Sequence, residues 1–409
     1  MRILSFVEGA NPLRGGLGLV GVPRIAQSLS DRGHWELLAI GGPVNPGLEA
    51  CVRPDPCTVW REEASSGAFS ILCFTAWGKR SIAPAMLWRL RRFAREADFI
   101  TLHSLYSFPV LAGYLLARLY RKPYGLWPHG VLMPSQRKIS ARKKWVYDQL
   151  VAGRMLRQAS ALFFSGAEER EDALKLGLTA PSVLIPHGFD SREYEGLPPR
   201  GKFRAKYLPG HEGPLVLYVS RLNWRKGLEI LAEAFALVIR QAPDARLAIV
   251  GSGDPPNFEA QVRDWLHQYG VDRRTVMTGL LTGQQKLEAF ADADVFAFPS
   301  LAENFGFAMF EAMASRVPVV VSETLEYAGE VQRYEAGLVV RRDAQGFADG
   351  ITRLLANAEL RRRTGENGLK MARAFSWEKC GESIERTLEC ILHGKPPPAD
   401  LVPGRSNGG

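Results

Sequence analysis

Two cations follow a short apolar run that is typical of a buried strand. The run is Leu215–Val219, and the next residues read SRLNWRKGLEIL, which places Arg221 and Lys226 on a loop. A guanidinium fork and an ammonium are suited to phosphate oxygens, and Gly227 lets a helix begin close to a ligand. The spacing therefore predicts a phosphate-binding loop, with ordinary surface cations as the alternative.

Two glutamates follow a second apolar run, Val295–Pro299, and seven residues separate them. Glu303 falls on the loop after the run, and Glu311 falls in the helix that the pattern predicts next. The segment Asn304-Phe305-Gly306 would present backbone N–H groups at the start of that helix, where anions bind. The pair predicts a polar ligand site, and helix capping is the alternative.

The elements that must position these loops alternate along the chain. Short β-branched or apolar runs are separated by amphipathic stretches such as Leu228–Gln241, whose apolar residues recur every three or four positions. This alternation predicts parallel sheets with helices on both faces, which bind ligands at the carboxyl ends of the strands. The predicted strands are Ile3–Val7, Leu37–Ile40, Phe99–Leu102, Gly125–Trp127, Ala161–Phe164, Ser182–Ile185, Leu215–Val219, Arg246–Val250, Val276–Thr278, Val295–Pro299, Val317–Val321 and Gly337–Val340.

A chain of 409 residues is too long for one compact core, so we expect two domains. The predicted fold class is α/β, with two Rossmann-like, doubly wound domains that face a shared cleft. The N-terminal domain would span 1–190 and the C-terminal domain 214–374. The segment 191–213, rich in proline, glycine and charge, is the expected linker. The tail 394–409 lacks an apolar period and is expected to be disordered.

Further motifs keep a fixed order around the cations and glutamates. GSG at 251–253, TGLL at 278–281, PS at 299–300 and EAMA at 311–314 follow one another, and the N-terminal half adds Gly15-Gly16 and PHG at 128–130. Together the set resembles glycosyltransferase family 4, a retaining family with the GT-B fold, over about residues 1–393. The resemblance implies two Rossmann-like domains and a C-terminal helix, 375–393, that crosses back to the N-terminal domain.

The resemblance also implies what each residue does. Arg221 and Lys226 would neutralise the diphosphate of a nucleotide-sugar donor in place of a metal, so no cofactor is expected. Glu311 would hold the ribose and Glu303 the donor sugar. His129 would bond the 6-hydroxyl side of the sugar near the reaction centre, with a structural histidine as the alternative. The remaining donor contacts would come from Gly15, Gly16, Gly251, Leu280, Asn304, Phe305 and Gly306.

The function implied is retaining transfer of a hexose to a glycan acceptor, expected to be lipid-linked, in polysaccharide or envelope glycan biosynthesis. In that family the leaving phosphate itself takes the proton of the acceptor. A nucleotide-sugar epimerase and a non-catalytic nucleotide-sugar binding subunit stay open as alternatives. The sequence leaves the sugar and the base (UDP, GDP or ADP) undetermined.

This chain departs from the family pattern at two notable positions. His187 stands in IPHG where the family has IPNG, and Arg316 stands where EAMA-x-G has glycine. The glycine loop NPLRGGLGLVG is also richer in glycine than is usual. None of these departures removes a proposed catalytic group, so we expect an active enzyme.

Two motifs suggest other ligands on weaker grounds. GLGLVG at 16–21 matches a dinucleotide fingerprint, but eight residues separate it from the first strand, and the second strand lacks the acidic residue that would hold a ribose. Asp292-Ala293-Asp294 resembles a metal-binding D-x-D motif. It ends a predicted helix and enters an apolar strand, which favours helix-end and strand-start roles for Asp292 and Asp294.

The composition limits the kinds of partner that this protein is expected to bind. The net charge of +9 lies in residues 1–200, where 26 Lys/Arg oppose 17 Asp/Glu, because 201–409 hold 26 of each. The basic stretches Lys79–Arg95 and Gln136–Arg157 include Trp88 and Trp145, and they fit either an anionic membrane surface or a solvated face. No nucleic-acid-binding motif accompanies the charge.

The sequence predicts a cytoplasmic protein, with peripheral membrane docking left open. Its five cysteines are scattered, it has no apolar run of membrane-spanning length, and its first residues are typical of a strand.

Overall fold

A computed structural model describes residues 1–8, 21–41, 57–63, 68–74, 76, 81–134, 141–303 and 305–402. Contacts within the chain divide it into two compact units. The first unit is Met1–Gly188 together with Trp377–Gly409, and the second is Phe189–Ser376. Each unit is built on one sheet.

The first unit holds an eight-stranded sheet in which β3 runs antiparallel to β4 and the other pairings are parallel. Its order is β3-β4-β2-β1-β5-β6-β7-β8, so the strand order reverses between β1 and β5. Ligands bind at such a reversal in doubly wound sheets. In chain order the strands are β1 (Arg2–Glu8), β2 (Trp35–Gly41), β3 (Cys57–Glu63), β4 (Ala68–Phe74), β5 (Phe99–His103), β6 (Tyr124–Trp127), β7 (Ala161–Phe164) and β8 (Ser182–Leu184).

The hairpin of β3 and β4 was not among the predicted strands. CTVWREE carries a charged end and follows neither a strand nor a helix period over its full length. It is a strand because it pairs along its whole length with β4, and that pairing is a tertiary contact. Within the described ranges, the helices that precede the second unit are α1 (Gly21–Ser30), α2 (Ala85–Arg89), α3 (Arg91–Glu96), α4 (Phe108–Leu119), α5 (Ala141–Tyr147), α6 (Gly153–Arg157) and α7 (Ala167–Leu174). A π-helical turn, Asp148–Ala152, joins α5 to α6.

The second unit holds a six-stranded, all-parallel sheet of order β11-β10-β9-β12-β13-β14. The order reverses between β9 and β12, which are neighbours. The strands are β9 (Leu215–Val219), β10 (Arg246–Val250), β11 (Thr275–Gly279), β12 (Val295–Phe298), β13 (Val319–Ser322) and β14 (Gly337–Val340). The helices are α8 (Arg192–Glu195), α9 (Lys202–Tyr207), α10 (Leu228–Gln241), α11 (Phe258–Gln268), α12 (Gly283–Asp292), α13 (Phe307–Ala314), α14 (Ala328–Arg333), α15 (Ala344–Ala356) and α16 (Ala358–Ala374).

The last helix, α17 (Trp377–Leu392), belongs to the first unit. Its buried residues Ile384 and Leu388 lie in one apolar cluster with Ile25 and Leu29 of α1. Glu385 adds an ion pair to Arg32 and a contact of 2.6 Å to His34 Nε2. The return of the C-terminal helix to the N-terminal unit, implied by the resemblance, is thereby confirmed.

Two expectations about loops need correction. The predicted linker 191–213 contains α8 and α9, and the side chains of Tyr194 and Phe203 are buried in the core of the second unit. The proline and glycine residues of this segment lie in turns within the unit, because the apolar residues between them pack into its core. In the tail expected to be disordered, Asp400 pairs with Arg386 at 3.0 Å and Leu401 packs on the first unit's core. Residues 403–409 lie outside the described chain.

Candidate active site

The loops after β9 and β12 are tied to each other at the strand reversal of the second sheet. The backbone N–H of Leu301 donates to the carbonyl of Arg225 at 2.7 Å. Gly227 has a φ of +69°, and a Cβ there would lie 2.2 Å from the carbonyl oxygen of Pro299. A side chain at this position would therefore push the two loops apart. The glycine of the predicted phosphate loop is needed for this close approach.

Lys226 and Glu303 form an ion pair at the centre of this site, and their side chains are only 12% and 16% exposed. Glu303 Oε1 also accepts a hydrogen bond from Ser300 Oγ at 2.6 Å. The Lys226 ammonium lies 5.5 Å from the ring centroid of Phe298. Partial burial reduces solvent screening, so this ammonium acts more strongly on a nearby anion than an exposed lysine would.

Glu311 lies on α13 and forms a second, separate ion pair. Its Oε1 is 2.8 Å from the ammonium of Lys286 on α12. That ammonium also lies 5.6 Å from the ring centroid of Tyr194. Burial, together with the Glu311 carboxylate, raises the pKa of Tyr194 well above its usual range. Lys286 and Tyr194 were not predicted as site residues.

Arg221 occupies a more exposed position and pairs with Asp254 at 2.8 Å, with both side chains about half exposed. The GSG loop after β10 lies against the loop that carries Arg221. A Cβ on Gly251, whose φ is +147°, would lie 1.8 Å from the carbonyl oxygen of Ser220. The Leu222 N–H donates to the Ser252 carbonyl at 2.8 Å. The loops after β9, β10 and β12 thus meet at one edge of the sheet.

The remaining predicted donor residues differ in what they present. Gly306 has a φ of +82° and precedes the first turn of α13. Phe305 is buried and stacks on Phe310 with ring centroids 4.2 Å apart, so its side chain belongs to the core. The Leu280 side chain is 62% exposed. Gly15, Gly16 and Asn304 lie outside the described residues.

In the first unit, His129 follows β6 at the carboxyl edge of the sheet. Its backbone is left-handed, with a φ of 53°, a region that residues other than glycine seldom adopt. Its Nε2 lies 3.0 Å from Nδ1 of His103, the last residue of β5. Its ring also stacks on those of Trp127 and His187. Burial lowers the pKa of His129 to about 4, so the imidazole is neutral at pH 7.

A buried carboxylate holds the same loop. The Gly130 N–H donates to Glu169 Oε1, and the Glu169 side chain on α7 is only 3% exposed. Because Gly130 has a φ of 83°, two successive left-handed residues form the turn after β6. His129 therefore sits on a loop whose backbone is fixed from α7 and whose side chain is fixed from β5.

Asp292 and Asp294 lie at the amino ends of the strands, away from the site just described. Asp292 accepts hydrogen bonds from the backbone N–H groups of Gly201 and Arg204. Asp294 accepts from the Leu215 N–H at 2.8 Å and pairs with Arg204 at 3.0 Å. Asp292 thus holds the start of α9, and Asp294 attaches α9 to the start of β9. Within the described part of the chain, no group of three or more His, Cys, Asp or Glu residues is placed to hold a metal.

Some residues that contact the predicted site residues were not themselves predicted, and only part of them could have been recognised from the sequence. Ser300 lies three residues before Glu303 in the same motif, and His103 ends a predicted strand next to that of His129. Both could have been found by comparing the residues at the carboxyl ends of adjacent strands. Lys286 and Tyr194 are far from Glu311 in sequence and meet it only through the packing of α8, α12 and α13.

Solved structures define the class of this fold, which is the GT-B fold of glycosyltransferases. HepE of Anabaena, solved in complex with UDP and glucose, matches with a TM-score of 0.73 and 21% identity, covering 95% of this chain and 99% of HepE. WaaG, a glycosyltransferase involved in lipopolysaccharide biosynthesis, matches with a TM-score of 0.64 and 17% identity, covering 96% of this chain and 99% of WaaG.

Two family models then define the family. The model of the glycosyl transferase 4-like domain matches residues 19–188. The model of glycosyl transferases group 1 matches residues 199–371. This chain belongs to glycosyltransferase family 4, group 1, and is a glycosyltransferase. The resemblance seen in its motifs is thus confirmed.

Curated relatives are similar over most of their length. D-inositol 3-phosphate glycosyltransferase of Corynebacterium glutamicum is 28% identical over 294 residues, 69% of this chain and 70% of the relative. Phosphatidyl-myo-inositol mannosyltransferase of Mycobacterium leprae is 27% identical over 327 residues, 76% of this chain and 78% of the relative. None of the helices in the described ranges is long and apolar enough to cross a membrane.

Proposed function

We propose that this glycosyltransferase transfers a hexose with retention, from a nucleotide-diphosphate sugar and without a metal, to a lipid-linked glycan acceptor. The partly buried Lys226–Glu303 ion pair at the strand reversal of the second sheet is the observation that carries the proposal. It places a cation and a carboxylate together where doubly wound sheets bind ligands. A nucleotide-sugar donor could bind both side chains, because its anionic diphosphate suits the cation and its sugar hydroxyls suit the carboxylate.

The donor would replace interactions that the site makes within the chain. Lys226 and Arg221, now paired with Glu303 and Asp254, would bind the diphosphate oxygens. Glu303 would accept hydrogen bonds from hydroxyls of the sugar, and Glu311 from those of the ribose. The N–H groups at the start of α13 would add a fixed positive dipole.

The chemical step would need positioning and charge neutralisation more than acid–base catalysis. The bond from the anomeric carbon to the phosphate oxygen breaks, and the acceptor oxygen forms its bond on the same face of the ring. The acceptor proton passes to the leaving phosphate. Positive charge fixed near that phosphate stabilises the transition state more than the ground state, because negative charge grows there during bond breaking.

A panel of nucleotide sugars tests the proposal. UDP-glucose and GDP-mannose lead the panel, because HepE was solved with UDP-glucose and the M. leprae relative is named a mannosyltransferase. We expect one donor to raise the melting temperature by mass action and to be hydrolysed slowly to free sugar with the anomeric configuration kept. Inverted sugar would contradict retention. An epimerised donor, or binding with no turnover even with acceptor extracts, would favour the epimerase or the non-catalytic binding subunit.

We propose that the acceptor lies at the cytoplasmic face of an anionic membrane, where this chain docks peripherally. Trp88 and Trp145, from the two basic stretches, are 62% and 63% exposed, which is unusual for so large an apolar side chain. Arg89 and Arg91 next to Trp88 are exposed as well. Aromatic and basic side chains together favour the interface of an anionic bilayer. The names of the M. leprae relative and of WaaG are consistent with a lipid-linked acceptor.

Vesicle sedimentation tests the docking. We expect binding to vesicles that contain anionic lipid, none to neutral ones, and a steep loss as ionic strength rises, since each cation near the surface contributes about 1 kcal/mol. Arg89→Glu with Arg91→Glu should abolish binding without weakening donor affinity. The matched control is Arg263→Glu with Arg273→Glu, an exposed pair in the second unit. Wild-type protein that ignores anionic vesicles at low salt would contradict docking and favour a soluble acceptor.

A further inference from the structure

A lysine and a tyrosine contact Glu311 and have no part in the function proposed so far. The ammonium of Lys286 on α12 is 2.8 Å from Glu311 Oε1, and the two side chains are 24% and 15% exposed. Tyr194 on α8 is buried, and its ring centroid lies 5.6 Å from the same ammonium. Glu311, on α13, is thus approached from two other helices of the second unit.

The packing of α8 against α12 fixes the Tyr194 ring. Phe290 lies four residues after Lys286, on the same face of α12. Its ring meets the Tyr194 ring nearly at a right angle, with centroids 6.1 Å apart and 78° between the planes. Phe189 also stacks on the Tyr194 ring, at 5.4 Å. Two aromatic neighbours therefore restrict where the Tyr194 hydroxyl can lie.

The Tyr194 hydroxyl donates a hydrogen bond to the Glu311 carboxylate. Burial raises the pKa of Tyr194, and this carboxylate raises it further, so the hydroxyl keeps its proton and remains a donor at neutral pH. A carboxylate offers about four acceptor positions on its two oxygens. Because Lys286 and Tyr194 each use one of them, positions remain for two hydroxyl groups of a ligand.

These two contacts restrict the rotamers of the Glu311 side chain. An unrestrained glutamate on a helix samples several rotamers, and ordering it when a ligand binds would weaken the affinity. The paired side chains of Lys286 and Glu311 are mostly buried, so water screens their attraction less than it screens a surface ion pair. The carboxylate is therefore held in one orientation by groups that are themselves fixed on neighbouring helices.

We propose that Lys286 and Tyr194 are positioning residues that fix the Glu311 carboxylate so that it accepts hydrogen bonds from both hydroxyls of the donor's ribose. This role rests on the proposed function, in which Glu311 binds the ribose. Neither Lys286 nor Tyr194 contacts the nucleotide in this role. Each should therefore matter only while the Glu311 carboxylate and the ribose hydroxyls are both present.

Titration calorimetry with UDP, GDP and ADP, and with the 2′,3′-dideoxy form of each, tests this role. For the nucleotide that the wild type binds, Lys286→Met should weaken affinity about tenfold, the effect of one lost hydrogen bond, and Tyr194→Phe about threefold. Lys286→Arg should keep most of the affinity, because it retains a cationic donor. None of these variants should weaken binding of the dideoxy nucleotide. The control is Lys206→Met, because the Lys206 ammonium also lies over a tyrosine ring, 4.9 Å from the centroid of Tyr207.

The double variant Glu311→Ala with Lys286→Met separates positioning from direct contact with the nucleotide. It should bind no more weakly than Glu311→Ala alone. In steady-state kinetics, Lys286→Met should raise KM for the donor more than it lowers kcat, because the ribose is remote from the bond that breaks.

Three results would overturn the positioning role and leave the proposed function standing. They are a further loss of affinity in the double variant, an equal loss with the dideoxy nucleotide, and unchanged affinity in Lys286→Met. A wild type that binds none of the three nucleoside diphosphates would overturn both the positioning role and the proposed function.

Discussion

The two units share a strand order at their sheet reversals but place opposite kinds of side chains there. In the second unit, the ends of β9, β10 and β12 carry ion pairs that reach solvent in part, among them Lys226–Glu303 and Arg221–Asp254. In the first unit, the ends of β5 and β6 carry neutral histidines stacked on Trp127, of which His103 is buried and His129 is partly buried. The same backbone arrangement therefore supports one charged and one uncharged site.

This difference arises from the chemistry that each side chain can share with its neighbours. A lysine and a glutamate attract each other, and both can be transferred to a ligand that supplies opposite charges or hydroxyls. A buried histidine without a carboxylate partner loses its proton instead, and it then offers a directional but uncharged nitrogen. On the proposed function, the charged site meets the diphosphate.

The largest expected effect tests the charged site. Lys226→Ala should lower turnover by about 10² to 10³, the usual loss on removing one preorganised group that stabilises transition-state charge. The melting temperature should change little, because the lysine is at a loop and not in the core. Lys370→Ala, an exposed lysine of α16, is the control. Normal turnover in the Lys226 variant would contradict the idea that this cation neutralises the leaving group.

A smaller effect should separate the two carboxylates. Glu311→Ala should weaken binding of the nucleoside diphosphate alone by about 1–3 kcal/mol, since hydrogen bonds to a charged group are lost. Isothermal titration calorimetry measures this directly, with Glu359→Ala on the surface of α16 as the control. Equal affinity for every nucleoside diphosphate would remove Glu311 from the site.

Glu36 on β2 of the first unit is also expected to be uncharged at neutral pH. The dependence of stability on pH can test this. Burial raises the pKa of Glu36 from 4.5 to about 8, against the hydrogen bond that Ser5 donates to it. The folded state thus holds a proton that the unfolded state releases above pH 4.5. The resulting stability is complete below that pH and is lost as pH rises through 8.

Glu36→Gln, which never ionises, should therefore gain free energy of unfolding relative to the wild type between pH 5 and pH 8. The expected slope is about 1.4 kcal/mol per pH unit. Urea unfolding at pH 5, 6.5 and 8 measures it, and the exposed Glu382→Gln on α17 should follow the wild type. Parallel curves for Glu36→Gln and the wild type would show that this carboxyl titrates normally.

The last prediction is that removing metal ions has no effect on turnover. EDTA should leave turnover unchanged, because on the proposed function Arg221 and Lys226 supply the positive charge that a metal supplies elsewhere. Activity is measured with EDTA, and again after Mn²⁺ or Mg²⁺ is added. Inhibition that either ion reverses would reopen Asp292 and Asp294 as ligands, although in this structure Asp292 accepts from the backbone N–H groups of Gly201 and Arg204, and Asp294 accepts from that of Leu215.

The periodicity of apolar residues along the chain determined most of the fold. All twelve predicted strands are present, because a buried parallel strand must be a short apolar run wherever it lies in the sheet. The same local logic located Arg221, Lys226, Glu303 and Glu311 on loops and helices that follow such runs. Their motif order was enough to identify the family, since each motif is contiguous in sequence.

Tertiary structure decided what no local pattern contains. The hairpin partner β3 is a strand through pairing, and Tyr194 and Phe203 join a core only because α8 and α9 fold onto the second unit. The pairings of Lys286 with Glu311 and of His103 with His129 also join residues far apart in sequence. Burial acts through distance in space, so the lowered pKa values of His103 and His129 depend on neighbours that only the folded chain brings together.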